Sequence, residues 1–142
     1  MMSQTQRHIR LALSCAGETV PRKHFGDCPE FRVYELTEDG ESRLIETQNN
    51  TSPEEQRHAD PKKLKGVTSL LPGCEVLVSG LQSPNFLRIR DTKSIQPVVT
   101  TEKTVEATLR AVSEAFDEIS RLVNARRRGE HPPVILTIGN KE

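Results

Sequence analysis

The chain has no tryptophan, one tyrosine and 4% aromatic residues among 142, so its core must be built mainly from aliphatic side chains. Neither sign of charge is in excess: 20 Lys and Arg face 20 Asp and Glu. That balance removes the basic footprint of a nucleic-acid binder. No apolar run approaches the roughly 20 residues that span a bilayer, which argues against a membrane partner. The opening "MMSQTQRHIR" is polar and does not resemble a signal peptide. Three cysteines are an odd number without paired spacing. They read as reduced thiols of a cytoplasmic protein, not as a disulfide framework. Enzyme templates are missing too: there is no Gly-x-Ser-x-Gly, His-Glu-x-x-His or Walker loop. Glu30 and Glu35 are two nearby surface glutamates and do not by themselves make an acid/base pair. The first strand carries no acidic residue for a two-metal hydrolase site.

What is present fits a globular chain, with 34% hydrophobic and 28% charged residues. The length suits one domain, residues 1–128, followed by a tail, residues 129–142. "RHIRLALSC" alternates, with Ile9, Leu11 and Leu13 on one face and Ala12 on the other, and reads as a strand. Residues 15–30 break around Gly17, Pro21, Gly26 and Pro29 into a loop. "FRVYELTE" and "RLIETQ" flank an Asp39-Gly40 turn and predict a hairpin. Residues 49–61 form a polar loop, "PKKLKGVTSLL" a short helix opened by Pro61, "CEVLVSG" a buried strand and "SPNFLRIRD" another short helix. Pro97 in "SIQPVV" cannot donate to a ladder and places that strand at a sheet edge. Val105, Leu109, Val112, Phe116, Ile119 and Val123 recur at helical spacing, which predicts one core-packed helix over residues 102–128. Thr101 is its expected cap, and Gly129 its stop. "VILTI" in the tail is apolar enough to add as a strand to a sheet edge, with the hairpin strand at residues 43–48 the expected acceptor.

This order predicts an α/β fold: a three-layer α/β/α sandwich on a five-stranded mixed sheet in order 3-2-1-4-5, only strand 2 reversed. The chain then leaves strands 1 and 4 in opposite directions, so their carboxyl ends flank a topological switch point, where open α/β sheets bind ligands. Cys15, the loop with His24 and Cys28, the 49–61 loop with His58, and "GLQSPN" at residues 80–85 converge on that rim. Cys74 precedes strand 4 and is expected on the opposite rim.

Taken singly, each candidate has an ordinary explanation. His24 and His58 suit exposed loops, and Cys15 and Cys28 suit small buried positions. Cys-x8-His-x3-Cys is no standard zinc spacing. Cys28 precedes Pro29, which can open a helical turn whose N-terminus would favour the thiolate.

Together the residues carry a resemblance. "V-x-x-HFG-x-x-x-x-F-x-VYE", here Val20, His24, Phe25, Gly26, Phe31, Val33, Tyr34 and Glu35, resembles the dinitrogenase iron–molybdenum cofactor-binding family, of the NifX, NafY and NifB carboxyl-terminal type. "LLPGCEVLVSGLQSPN", "SIQPVV" and the closing helix extend it over roughly residues 7–124. The resemblance implies a ribonuclease-H-like sandwich and a non-catalytic carrier. Its ligand would be an iron–molybdenum cofactor or an iron–sulfur or molybdenum-containing cluster precursor, exchanged with donor and acceptor proteins of cofactor assembly. It implies His24 as the leading cofactor contact; Cys28, on the same rim, is the expected second metal ligand. Cys15, His58, Gly26, Gly80 and Asn85 line the implied site. The expected state is a monomer or weak homodimer. Two departures stand out: the loop after strand 4 has one glycine, and "NNTSPEEQRHADP" replaces the glycine- or histidine-rich middle loop of some relatives. A non-catalytic interaction or regulatory domain of the same fold, without a cluster, is the alternative.

Overall fold

The computed structural model describes residues 7–23, 25–49, 71, 73–82 and 84–139. Alternating apolar residues form β1 (His8–Cys15) and β2 (Glu30–Thr37), and the largely exposed β3 (Ser42–Asn49) pairs with β2. The Asp39-Gly40 turn closes the β2–β3 hairpin as expected, with Gly40 at φ 95° and its N–H on the Thr37 carbonyl at 3.0 Å. Continuous apolar runs give the short inner strands β4 (Val76–Ser79) and β5 (Gln96–Thr100), and the tail gives β6 (Leu136–Ile138). The sheet runs β3-β2-β1-β4-β5-β6. β2 is antiparallel to both neighbours, while β4, β5 and β6 continue parallel from β1. The expected order of five strands is present, with a sixth added.

Three helices cover the sheet among the described residues: α1 (Pro84–Thr92), α2 (Val105–Glu114) and α3 (Phe116–Arg127). Leu11, Leu13, Val76, Val78 and Val98 pack with Val112, Phe116 and Ile119 of α2 and α3. On the other face, Ala12, Phe31, Val33 and Leu77 pack with Phe86 and Ile89 of α1. The two clusters define the three layers. The helix expected at residues 61–71 lies, apart from Leu71, outside the described residues.

Four expectations need correction. β5 is internal, between β4 and β6, although it holds Pro97. The Gln96 N–H bonds the Glu75 carbonyl on the β4 side and the Thr101 N–H bonds Ile138 on the β6 side. By alternation the Pro97 nitrogen faces β6, one residue before that ladder opens at Val98 and Leu136, so no ladder bond is lost. The tail strand therefore joins β5 and not the hairpin. The long helix is two, parted at Ala115, whose N–H is shared at 3.1 Å between the Ala111 and Val112 carbonyls in a locally tightened turn. Its cap is Thr104, extended at φ −122°, whose hydroxyl accepts the Ala107 N–H at 3.1 Å. Thr101 is drawn into the β6 ladder instead. Gly129 ends α3 as expected, at φ 89°, with the Glu130 N–H on the Ala125 carbonyl at 3.0 Å.

Candidate functional site

The carboxyl ends of β1 and β4 lie side by side, since Leu13 pairs with Val78. The chain leaving β1 makes a tight turn, with paired backbone bonds between Ala16 and Thr19 and Gly17 at φ 61°. It is fastened to the start of α2 by the Val20 N–H on Lys103 O and the Val105 N–H on Glu18 O, both 2.9 Å. The chain then crosses the end of β4. A Cβ on Gly80 would overlap the Pro21 carbonyl oxygen and stand 3.2 Å from its carbon. The Ser79 hydroxyl lies 3.2 Å from the carbonyls of both Lys23 and Leu81. The Phe25 ring stacks on Phe86 of α1, with centroids 5.3 Å apart. The loop of residues 15–28 and the β4–α1 connection are thus brought together at the switch point, where topology placed them.

The described candidate residues then have locations. Phe25, Gly26 and Asp27 form a 3-10 turn, and Cys28 follows it, its N–H on the Phe25 carbonyl at 3.4 Å. No helical turn opens at Pro29; Glu30 starts β2 directly, so Cys28 sits at the end of a turn and gains no N-terminal dipole. Gly80 packs against the loop, and Asn85 is buried in the first turn of α1, accepting from Arg88 at 3.3 Å. His24 and His58 lie outside the described residues, as do residues 50–70 as a whole. Among the described residues no group of three His, Cys, Asp or Glu could hold a metal ion.

All three cysteines are buried thiols. Cys15 is in the α2–α3 face of the core, and burial pushes its thiol up to about 12, with Glu30 adding to the shift. Burial also raises Cys28, opposed by a hydrogen bond with Ser14 and by Lys23. Ser14 precedes Cys15 in the strand and projects to the opposite face, so the two thiols are on different sides of the sheet. Cys74 stands at the other rim as expected: the Glu75 N–H beside it bonds the Arg10 carbonyl near the start of β1. Burial pushes its thiol up to about 11.

Sequence reasoning missed four contributors. Ser14 and Ser79 are fully buried at the ends of β1 and β4, and Ser14 donates to the Val78 carbonyl at 3.3 Å. Their signal was available: each is a hydroxyl closing an apolar run, "LALSC" and "VLVSG". The Phe25–Phe86 stack had no local signal. Glu30 accepts the Gly17 N–H at 3.1 Å and stands 3.5 Å from Arg32 Nε, an ion pair without hydrogen-bond alignment. Two clefts of the described surface lie elsewhere. One of about 390 Å³ is lined by Tyr34, Gly40, Leu109 and Arg110, and another of about 560 Å³ lies beside Glu35 and Arg43.

A family model described as dinitrogenase iron-molybdenum cofactor matches residues 7–115. No curated protein matches the chain. No described helix is long and apolar enough to cross a membrane.

Proposed function

We propose, for a chain that belongs to the dinitrogenase iron–molybdenum cofactor family, that it binds and carries an iron–molybdenum cofactor or an iron–sulfur or molybdenum-containing precursor, and passes it between assembly proteins without transforming it. The observation that carries this reading is the packing of the HFG loop onto the β4–α1 connection at the switch point, through Pro21 on Gly80, Lys23 on Ser79 and Phe25 on Phe86.

The cluster is cargo, and a carrier must both shield it and release it. A small set of labile donors suits that task better than a closed four-thiolate cage. In our reading His24 is the principal ligand, because a neutral imidazole binds without first losing a proton. Cys28 is the secondary ligand: it is beside the same loop, but its burial keeps the proton on and weakens it as a donor near neutral pH. Gly26 and Asn85 line the rim, and His58 is proposed to face it from the middle loop. Cys15 borders the site from the opposite face of the sheet and is assigned to packing. Rim amides supply hydrogen bonds to cluster sulfides. With no net charge on the chain, these local contacts supply the attraction.

The test is visible absorbance of parent, His24→Ala and Cys74→Ser after anaerobic incubation with isolated iron–molybdenum cofactor and desalting. Parent and Cys74→Ser should keep the colour and His24→Ala should lose most of it. The absence of tryptophan leaves the near-ultraviolet edge clear as well. Full colour in His24→Ala, or its loss in Cys74→Ser, refutes the placement. A colourless parent favours the reading as an interaction domain.

A further inference from the structure

We propose that Ser79 and Gly80 are positioning residues of the site: they hold the loop on either side of His24 against the start of α1, and Gly80 does so by having no side chain. The proposal rests on the preceding reading for its link to cluster binding, but its structural half stands alone. Lys23 and Phe25 are the neighbours of His24 in sequence. The carbonyl of the first is held by the Ser79 hydroxyl at 3.2 Å, and the ring of the second is stacked on Phe86. Between the chain's exit from β1 and these contacts, Pro21 lies backbone to backbone on Gly80.

The contact at Gly80 is specific in its demand. The atoms a Cβ would meet are the Pro21 carbonyl oxygen and carbon and, at 3.4 Å, Val20 Cγ1. Backbone atoms cannot swing aside as the end of a long side chain can. Any other residue at position 80 must lift the Pro21–Cys28 segment off β4. Gly80 is not among the glycines at positive φ, so backbone conformation does not explain its presence; close approach does. The one glycine of this connection is therefore assigned to seating the loop, and not to an amide cradle. Ser79, fully buried at the end of β4, adds a hydroxyl that reaches the Lys23 carbonyl.

Cys28 reports the loop's seating without any cluster. It is 2% exposed and follows the same turn. Cleavage after Arg10, Arg22, Lys23, Arg32 and Arg88 puts Cys15, Cys28 and Cys74 on three different tryptic peptides. The apo chain with all its cysteines is pulsed with N-ethylmaleimide, and each peptide is quantified by mass spectrometry. Gly80→Ala should raise labelling of Cys28 about tenfold or more, equivalent to about 1.4 kcal/mol off the local closing equilibrium. Cys15 and Cys74 should stay at parent rates, because Cys15 is held in β1 opposite Glu30 of β2 and Cys74 stands at the opposite rim, beside the start of β1. A general loss of stability would raise all three together. Ser79→Ala should produce a smaller rise confined to Cys28, and it carries the test if Gly80→Ala does not fold.

In the second arm both variants are incubated with isolated iron–molybdenum cofactor and should retain less colour than the parent. Unchanged Cys28 labelling in both variants, or equal rises at all three thiols, overturns the seating role. Selective Cys28 labelling with full colour overturns the link to binding. If the parent itself takes no colour, the proposed function fails, while the labelling still decides whether Gly80 seats the loop.

Discussion

Replacing Arg126 by methionine should destabilise the fold by about 2–4 kcal/mol. Arg126 is 3% exposed and its guanidinium reaches four oxygens. Nε donates to Gln96 Oε1 at 2.7 Å, one terminal nitrogen to the carbonyls of Arg90 and Lys93 at 3.0 Å each, and the other to Pro132 at 3.3 Å. It thereby ties α3 to β5, to the end of α1 and to the tail. Gln96 passes the tie on, donating to the Val134 carbonyl at 2.9 Å. Methionine keeps the apolar stem and removes every donor. Each orphaned buried acceptor costs about 1 kcal/mol or more, and relief of the buried charge returns part of the sum. With a urea slope of about 2 kcal/mol per molar, the midpoint should fall by about 1–2 M. Far-ultraviolet circular dichroism is the probe. Deleting residues 130–142 removes Pro132, Val134 and β6 together, so the two changes should couple by about 0.5–3 kcal/mol instead of adding. An unmoved midpoint in Arg126→Met, or strict additivity with the deletion, would refute the account of how the tail is held.

Two other expectations concern the core. Phe116→Ala should cost about 3–5 kcal/mol in the same urea assay, since the ring is 4% exposed and also lies under the Arg7 guanidinium at 5.4 Å; a near-zero shift would show that this face is not core. Alkali should destabilise the fold through its buried thiols. Unfolded thiols ionise near 8.5, whereas burial raises Cys15 to about 12 and Cys74 to about 11. The folded state thus favours the protonated form: its advantage is complete below about pH 8.5, falls as pH rises from there, and is lost once pH has passed through 11–12. Cys74→Ala should lose about 1–2 kcal/mol less than the parent between pH 8 and 10, and parallel pH curves would contradict that assignment.

The fold was legible where one residue's position fixes its neighbours. In β1 the period of two separated Ile9, Leu11 and Leu13 from Ala12, and both faces are buried against the clusters that pattern implied. The strand order followed from the hairpin and right-handed crossovers. What failed was what depends on a partner distant in sequence. Pro97 marks an edge only if its nitrogen faces a paired neighbour, and that depends on where β6 begins, some 38 residues later, as the Gln96-to-Val134 bond shows. Thr101 and Thr104 are equally good caps in sequence; β6 recruits the first and leaves the second to the helix.

At the candidate site, topology gave the location but not the chemical state of the proposed donors. Convergence of residues 15–28 with 80–85 needed only the direction in which the chain leaves β1 and β4. The ionisation of Cys28 needed the neighbours that cover it, and these come from two segments: Ser14 from β1, and Lys23 and the turn at Phe25 from the loop. A sequence-local argument from Pro29 put a helix N-terminus there and so favoured thiolate; the extended start of β2 removes that dipole and burial acts in the opposite direction. The difference bears on function. Under the proposed function, a thiolate at the rim would have made Cys28 the stronger anchor and a bound cluster hard to surrender. A protonated, covered thiol must lose its proton before it binds, and that requirement subtracts from its affinity near neutral pH. In the proposed reading this ranks the imidazole of His24 ahead of the thiol as a ligand, and the colour kept or lost by His24→Ala tests that ranking.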